Sequence, residues 1–252
     1  MSAPLPPIVL TFAATDPTGG AGIQADLLTL SSMGCHALSV VTAVTVQDTA
    51  GVEGVQPVDA EWVNDQARMV LEDMAVSAFK IGMVGSAENA AVIAEILADY
   101  PDVPVVLDPV LASGRGDELA NEALIDALRD LLIPHTTLLT PNSTEARRLA
   151  ADEDEDEAEL GLHECAARLL DMGARYVLIT GTHENTAQVI NTLYESAGIV
   201  RSDQWERLPG SYHGSGCTLA SAIAAALANG LDLPEAVREG QEYTWQTLAA
   251  AF

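Results

Sequence analysis

Ile8-Val-Leu-Thr-Phe-Ala-Ala-Thr-Asp-Pro-Thr-Gly-Gly-Ala-Gly22 is the stretch that decides the fold class. A short apolar run breaks into a polar, glycine-rich turn, and helical spacing takes over from about Gly22 to Met33. One strand, one tight turn and one helix form the unit from which parallel sheets are built.

The same alternation continues outward along the chain. Ala37 to Gln47 is rich in β-branched residues and reads as one strand, and Ala60 to Met74 has helical periodicity. Strand Ala78 to Met83 precedes helix Ser86 to Ala98, strand Val103 to Leu107 precedes helix Glu118 to Leu132, and strand Thr137 to Thr140 precedes helix Ser143 to Ala150. Helix Ala158 to Met172, strands Tyr176 to Thr180 and Ala187 to Tyr194, and two Ala-rich helices, Ser215 to Asn229 and Pro234 to Ala250, complete the pattern. Repeats of this kind predict an α/β fold with a mostly parallel sheet covered on both faces, within one domain spanning 1–252. Ligands in such sheets collect at the carboxyl ends of the strands. Glycine and polar residues gather there: Thr15 to Gly22, Gln47-Asp48, Gly82-Met83, Asp108-Pro109, Pro141-Asn142 and Gly181-Thr182.

Composition narrows the function classes. A net charge of −26, with Lys80 the only lysine, repels nucleic acid and anionic membranes. A phosphorylated ligand must therefore be held by local dipoles and metal, and the acidity accords equally with a salt-rich cytoplasm and with an ordinary acidic surface. Cys35, Cys165 and Cys217 are odd in number and widely spaced, which argues for a reduced compartment. Met1 to Pro7 lacks the pattern of a secretory signal, and no stretch has the roughly 18 apolar residues of a membrane helix. The expectation is a cytoplasmic protein. The acidic run Asp152 to Glu157 reads as a solvated segment.

Four segments have chemical potential. His213-Gly-Ser-Gly-Cys-Thr218 runs straight into a helix, so glycine backbone and first-turn N–H groups can meet an anion. Cys217 falls in that first turn, where a thiol pKa is ordinarily lowered and a thiolate could take a proton from a hydroxyl. The same residues also read as a plain turn into a buried helix with Cys217 in the core. Asn142-Ser-Thr-Glu145 offers a carboxylate for Mg²⁺, and equally a helix capping box. Thr15 to Gly22, with Gln24 and Asp26, reads as a substrate loop or as an ordinary turn; it is neither a dinucleotide fingerprint nor a P-loop. Gln47 at a strand end suits the edge of an aminopyrimidine, or solvent. His183 and His213 read as structural or loop residues.

Taken in order, these segments resemble the hydroxymethylpyrimidine/phosphomethylpyrimidine kinase family of the ribokinase superfamily. The likeness rests on Thr15 to Asp26, Val40 to Gly51, Lys80-Ile-Gly-Met83, Leu107-Asp-Pro-Val110, Leu139-Thr-Pro-Asn142 with Glu145, and His213 to Leu219. It implies a ribokinase-like α/β/α sandwich, ATP and Mg²⁺ as cofactors, a small pyrimidine substrate and a homodimer. Asp26, Gln47, Met83 and Val110, near Ala14, would bind the pyrimidine. Asn142, Glu145, Thr180, Thr182 and Ser215 would bind the nucleotide, with Mg²⁺ near Glu145 and Asn142. Gly214 and Gly216 would stabilise the transferring phosphoryl group, and Cys217 stands where the superfamily usually has a catalytic Asp.

Two departures stand out. Thr180-Gly-Thr-His183 replaces a Lys-Gly-Gly-His stretch of many relatives, and Lys80 is not expected to substitute from another strand end. Ala14 stands where glycine is usual. The rival readings are a pyridoxal kinase of the same superfamily and a non-catalytic pyrimidine-binding descendant.

Overall fold

A computed structural model describes residues 5–113, 116, 119–152 and 154–251. The elements are β1 (Ile8–Ala13), α1 (Gly22–Ser32), β2 (His36–Val41), β3 (Ala43–Gln47), β4 (Val52–Pro57), α2 (Ala60–Asp73), β5 (Ala78–Ile81), α3 (Ala87–Ala98) and β6 (Val105–Leu107). They continue with α4 (Glu122–Ala127), β7 (Leu138–Leu139), α5 (Ser143–Ala150), α6 (Leu162–Asp171), β8 (Tyr176–Ile179), β9 (Gln188–Glu195), β10 (Gly198–Glu206), α7 (Ser215–Ala228) and α8 (Leu233–Ala249).

The large sheet has the order β10-β9-β8-β7-β6-β5-β1-β2. Strands β2, β1, β5, β6, β7 and β8 are parallel, while β9 and β10 add an antiparallel hairpin at one edge. Alternate residues of each strand face opposite layers. Leu10, Phe12, Phe79, Ile81 and Leu107 belong to the core shared with α2 to α6, together with Val63, Ile93, Leu124 and Leu149. Val9, Ala78, Val106 and Leu138 belong to the other layer, with Leu30 of α1 and Leu219, Ile223 and Ala224 of α7. Small side chains let this second layer sit close: a Cβ on Gly240 of α8 would lie 2.4 Å from Ile223 Cγ1.

The mostly parallel, doubly covered sheet agrees with the sequence reading, with five differences. The run Ala37 to Gln47 is two strands, because the chain leaves the large sheet at Thr42. There the Thr42 N–H still bonds Ala13 O, while its hydroxyl turns to Met83 O at 2.5 Å. β3 then pairs in a separate two-stranded ribbon with β4, a strand absent from the sequence reading. β10 is likewise additional to it. The helix expected from Glu118, a residue outside the described ones, starts at Glu122, where Asn121 accepts the Leu124 N–H, and ends in a π-helical turn, Leu128–Leu132. The helix expected from Ala158 starts at Leu162, after a 3₁₀ turn at Glu157–Glu159. Among the described residues no helix is long and apolar enough to cross a membrane.

The crossover from β1 runs to β2 on one side, and that from β5 runs to β6 on the other. The direction of winding therefore switches between β1 and β5, which opens a crevice at their carboxyl ends.

Candidate active site

The loop after β1 forms one wall of that crevice. Asp16, fully buried, accepts hydrogen bonds from the Thr18 N–H, the Thr18 hydroxyl and the Ala21 N–H at 2.7–2.9 Å. Burial alone would raise its pKa, but these donors, together with His213 at 3.0 Å, hold it below the usual value. The Asp16–His213 contact ties this loop to the segment that leads into α7. The two backbones meet so closely that a Cβ on Gly214 would stand 1.8 Å from Gly20 O, and Gly214 has φ +80°. Only glycine fits there. His213, read from sequence as structural, is the side chain that joins these walls.

Gly214 is the N-cap of α7, so the first-turn N–H groups of Gly216 and Cys217 have no intrahelical acceptor and face the crevice end of the sheet. Ser215 lies in the same turn. A Cβ on Gly216 would sit 3.6 Å from Asp108 Oδ2, which places the Asp108 carboxylate directly beside the helix start.

Cys217 is half-buried in this turn, where the Gly22 N–H and the Asp108 carboxylate both act on its thiol. Its pKa corrects the sequence expectation. Burial pushes the thiol up to about 12; Lys80 works against this, while Asp108 and Asp26 add to it. The helix terminus does not make a resting thiolate, because two carboxylates and desolvation outweigh it. Asp108 itself is pushed up to about 6 by burial, offset by Lys80, raised further by Asp26 and lowered by the Cys217 thiol. At neutral pH the thiol is protonated and Asp108 is mostly ionised.

Asp26 is also placed differently from expectation. It is fully buried beneath the site, with Lys80 Nζ on both of its oxygens at 2.8 and 2.9 Å, Thr11 Oγ1 on one at 2.6 Å and Ser221 Oγ on the other at 2.8 Å. Its acceptor capacity is used, so it positions neighbours and does not touch a substrate. Ala14, 2 % exposed, likewise presents little surface.

The opposite wall carries the remaining pyrimidine candidates. Half-buried Met83 follows β5, its carbonyl fixed by Thr42, and half-buried Val110 follows β6, donating to Asp108 O at 2.9 Å. Gln47 ends β3 at a register shift and is half-buried, with Nε2 3.4 Å from Thr15 O. That length leaves its amide largely available.

Further along the same edge, α5 begins with a complete capping box. Asn142 Oδ1 accepts the Thr144 and Glu145 N–H groups, each at 2.9 Å, and Glu145 Oε2 accepts the Asn142 N–H at 2.9 Å. The Asn142 oxygen, expected from sequence to lie near Mg²⁺, is therefore spent on the cap, and its NH₂ group remains as a donor. Glu145 keeps a second oxygen, only weakly engaged by the Leu111 N–H at 3.4 Å. Its pKa is pushed up to about 8 by burial and then by Asp108, against the two N–H donors.

Thr180 is bound to this helix start through its backbone: Ser143 N–H reaches Thr180 O at 3.1 Å, and Thr180 N–H reaches Pro141 O at 3.0 Å. Thr182 is exposed, and its carbonyl accepts Arg207 Nη1 at 2.8 Å. Arg207 also bonds the Thr186 and Glu184 carbonyls, so a guanidinium wraps the loop after β8, where the sequence reading expected a lysine to be missing. Asp108 is read from sequence only as part of the strand-end cluster and of a family motif, with no role of its own, and Arg207 is not singled out at all. An Asp at the end of a fully buried strand is the available signal for Asp108; nothing local marks Arg207.

Comparison with known proteins agrees with this arrangement. The phosphomethylpyrimidine kinase family model matches residues 16–252. A hydroxymethylpyrimidine/phosphomethylpyrimidine kinase of Streptomyces coelicolor is 41 % identical over 260 residues, covering 100 % of this chain and 94 % of that one. The crystal structure of a Clostridium difficile phosphomethylpyrimidine kinase superposes with a TM-score of 0.81 at 33 % identity, covering 96 % of this chain and 99 % of that one. A Bacillus subtilis pyridoxal kinase, solved as an ADP complex, gives 0.82 at 29 % identity over 94 % of this chain and 90 % of that one. The strand-end crevice, the glycine-capped α7 and the full-length likeness converge: the chain belongs to the phosphomethylpyrimidine kinase family.

Proposed function

We propose that the protein transfers the γ-phosphoryl group of ATP to the hydroxyl of 4-amino-5-hydroxymethyl-2-methylpyrimidine, and then a second phosphoryl group to the resulting monophosphate, on the route to thiamine. The observation that carries this reading is the Asp108 carboxylate set against the glycine-capped first turn of α7, 3.6 Å from a Cβ on Gly216, with Cys217 in that same turn.

The pyrimidine ring lies between Met83 and Val110, with its amino edge on Gln47. The hydroxymethyl group points at Cys217. When its oxygen attacks the γ-phosphorus, the O–P bond to ADP breaks and the hydroxyl proton must leave. A protonated thiol accepts it only by passing its own proton to Asp108, so the pair acts as one base. First-turn N–H groups at Gly216 and Cys217 receive the charge on the transferring group. The second transfer attacks with a phosphate oxygen already ionised near neutral pH and makes no such demand.

Among the described residues no group of three or more His, Cys, Asp or Glu could hold a metal unaided. A nucleotide-borne Mg²⁺ needs only one or two protein carboxylates, and Glu145, buried and facing the charge of Asp108, fits that need. Bound there, the ion would neutralise charge developing on the phosphate oxygens.

A homodimer in the cytoplasm completes the reading; the exposed Val44 and Val46 on the outer face of the β3–β4 ribbon support pairing of two copies. The pyridoxal alternative remains worth measuring, because a pocket discriminates rings of similar shape by only about ten- to a hundredfold. The test is turnover with ATP and Mg²⁺, comparing hydroxymethylpyrimidine with pyridoxal and following products by mass. Sequential mono- and diphosphate from the pyrimidine is expected. Phosphorylation of pyridoxal alone would transfer the assignment, and binding without turnover would make the protein a non-catalytic descendant.

A further inference from the structure

Lys80 is the only lysine in the chain, and it is fully buried in β5. It projects into the layer between the sheet and helices α1 and α7, where Asp26 takes both of its short hydrogen bonds and is itself braced by Thr11 and Ser221. A buried ion pair is poor support for a fold, since apolar residues of equal volume often serve as well. The surroundings point to another reason for it. A Cβ on Gly82 would lie 2.6 Å from Lys80 Nζ, so the ammonium packs against the backbone of the segment that presents Met83. A guanidinium has no room there, although every other Lys/Arg position in the chain is arginine. Asp26, which holds this cation, is itself bonded by Thr11 of β1 and by Ser221, one turn beyond Cys217 on α7; the charges of Cys217 and Asp108, at the reaction centre, also act on the ammonium.

We propose that Lys80, anchored by Asp26, is a positioning residue for phosphoryl transfer: from beneath the crevice it fixes the Gly82–Met83 wall and sets the placement of the Cys217–Asp108 pair. Asp26, Thr11 and Ser221 hold the cation on this line. The proposal rests on the kinase reading above and names the part of the buried interior on which that site depends.

The test compares wild type, Lys80→Met, the charge-neutral double variant Lys80→Met/Asp26→Asn, and Ser221→Ala, which removes one brace without removing a charge. Unfolding is followed alongside kcat and KM for the pyrimidine alcohol. Lys80→Met alone leaves a buried carboxylate unpaired, so it is expected to lose stability. The double variant is expected to regain the fold yet stay about 100-fold down in kcat, the scale of losing one fixed electrostatic group. Ser221→Ala should stay folded with a modest loss of stability and keep its KM, while kcat falls about three- to tenfold, the scale of one hydrogen bond. A double variant that recovers both fold and kcat would reduce the pair to core packing. If the double variant does not fold, an unchanged kcat in Ser221→Ala overturns the proposal by itself. A wild type that turns over no substrate sinks the kinase reading first, and the proposal with it.

Discussion

The Asp108 carboxylate stands against the first turn of α7 that carries Cys217, 3.6 Å from a Cβ on Gly216, with the thiol pushed up to about 12 and the carboxyl to about 6. On the proposed mechanism, a base at Cys217 serves only the step that releases a proton. Cys217→Ala should therefore cut phosphorylation of the alcohol by about 10²–10³-fold, within the range of general-base catalysis, and that of the monophosphate far less. Single-turnover rates with each acceptor decide the matter; equal losses would leave Cys217 a structural role.

Glu145 ties stability to function. Its folded-state pKa is raised from 4.5 to about 8. Between those values the folded chain holds more protons at this site than the unfolded chain, so the site's contribution to stability falls as pH rises and its cost is fully present above about 8. Glu145→Gln keeps an acceptor for the capping box and removes that charge. The variant should gain on wild type between about pH 6 and 9 by an amount on the order of 1–3 kcal/mol, while losing Mg²⁺-dependent turnover. A melting difference that stays constant across that pH range would contradict the assignment.

Gly214 and Gly216 look alike in sequence but are bound by different constraints. A methyl at 214 meets Gly20 O at 1.8 Å on a backbone with positive φ, whereas one at 216 makes ordinary contact with Asp108 at 3.6 Å. Gly214→Ala should cost about 3 kcal/mol or more of stability. Gly216→Ala should fold with little loss and raise the KM for ATP, since the methyl projects where the phosphates approach. Urea unfolding of both variants checks the first claim, and steady-state kinetics the second.

Much of the fold is legible in the sequence. The strand–turn–helix rhythm around Ile8 to Met33 carries the parallel sheet, because helical and strand periods differ and glycine marks each change. Glu145 with Asn142 is readable both as a cap and as a cation site, and the structure divides the roles: the amide oxygen caps, while the carboxylate keeps an oxygen to spare. The sequence does not show that the β-branched run Ala37 to Gln47 changes sheets at Thr42, since both halves have the same local pattern. Nor does it show Asp26 facing inward, because only the approach of Lys80 from the neighbouring strand consumes its oxygens. The one mark of Lys80 is a cation inside Ala78-Phe-Lys-Ile81, a strand buried on both faces.

Arg207 supplies a cation beside the Thr180-Gly-Thr-His183 loop, through three carbonyls at Thr182, Glu184 and Thr186. Because these contacts shape the loop, Arg207→Gln should raise the KM for ATP by about three- to tenfold, the scale of one ordinary hydrogen bond, with little change in the KM for pyrimidine. An unchanged ATP dependence would mean that the loop plays no part in nucleotide binding.

The surface charge sets the last prediction. Against 37 acidic residues the chain has 11 Lys and Arg, and one of those cations is buried. Several arginines are committed locally: Arg168 to Glu155 and Glu164, Arg148 to Glu122 and Glu157, and Arg147 to Glu184. Exposed pairs of this kind contribute little each, so like-charge repulsion among the remaining carboxylates dominates the surface. Raising salt from about 0.1 M to 1 M shortens the screening length from roughly 10 Å to 3 Å, which relieves that repulsion more than it weakens the pairs. Tm should therefore rise by several degrees in KCl. Choline chloride at equal ionic strength should act alike, because screening does not depend on the identity of the cation. A Tm that falls with salt would show that the arginine pairs, and not the repulsion, govern the surface, and would remove the case for adaptation to a salt-rich interior.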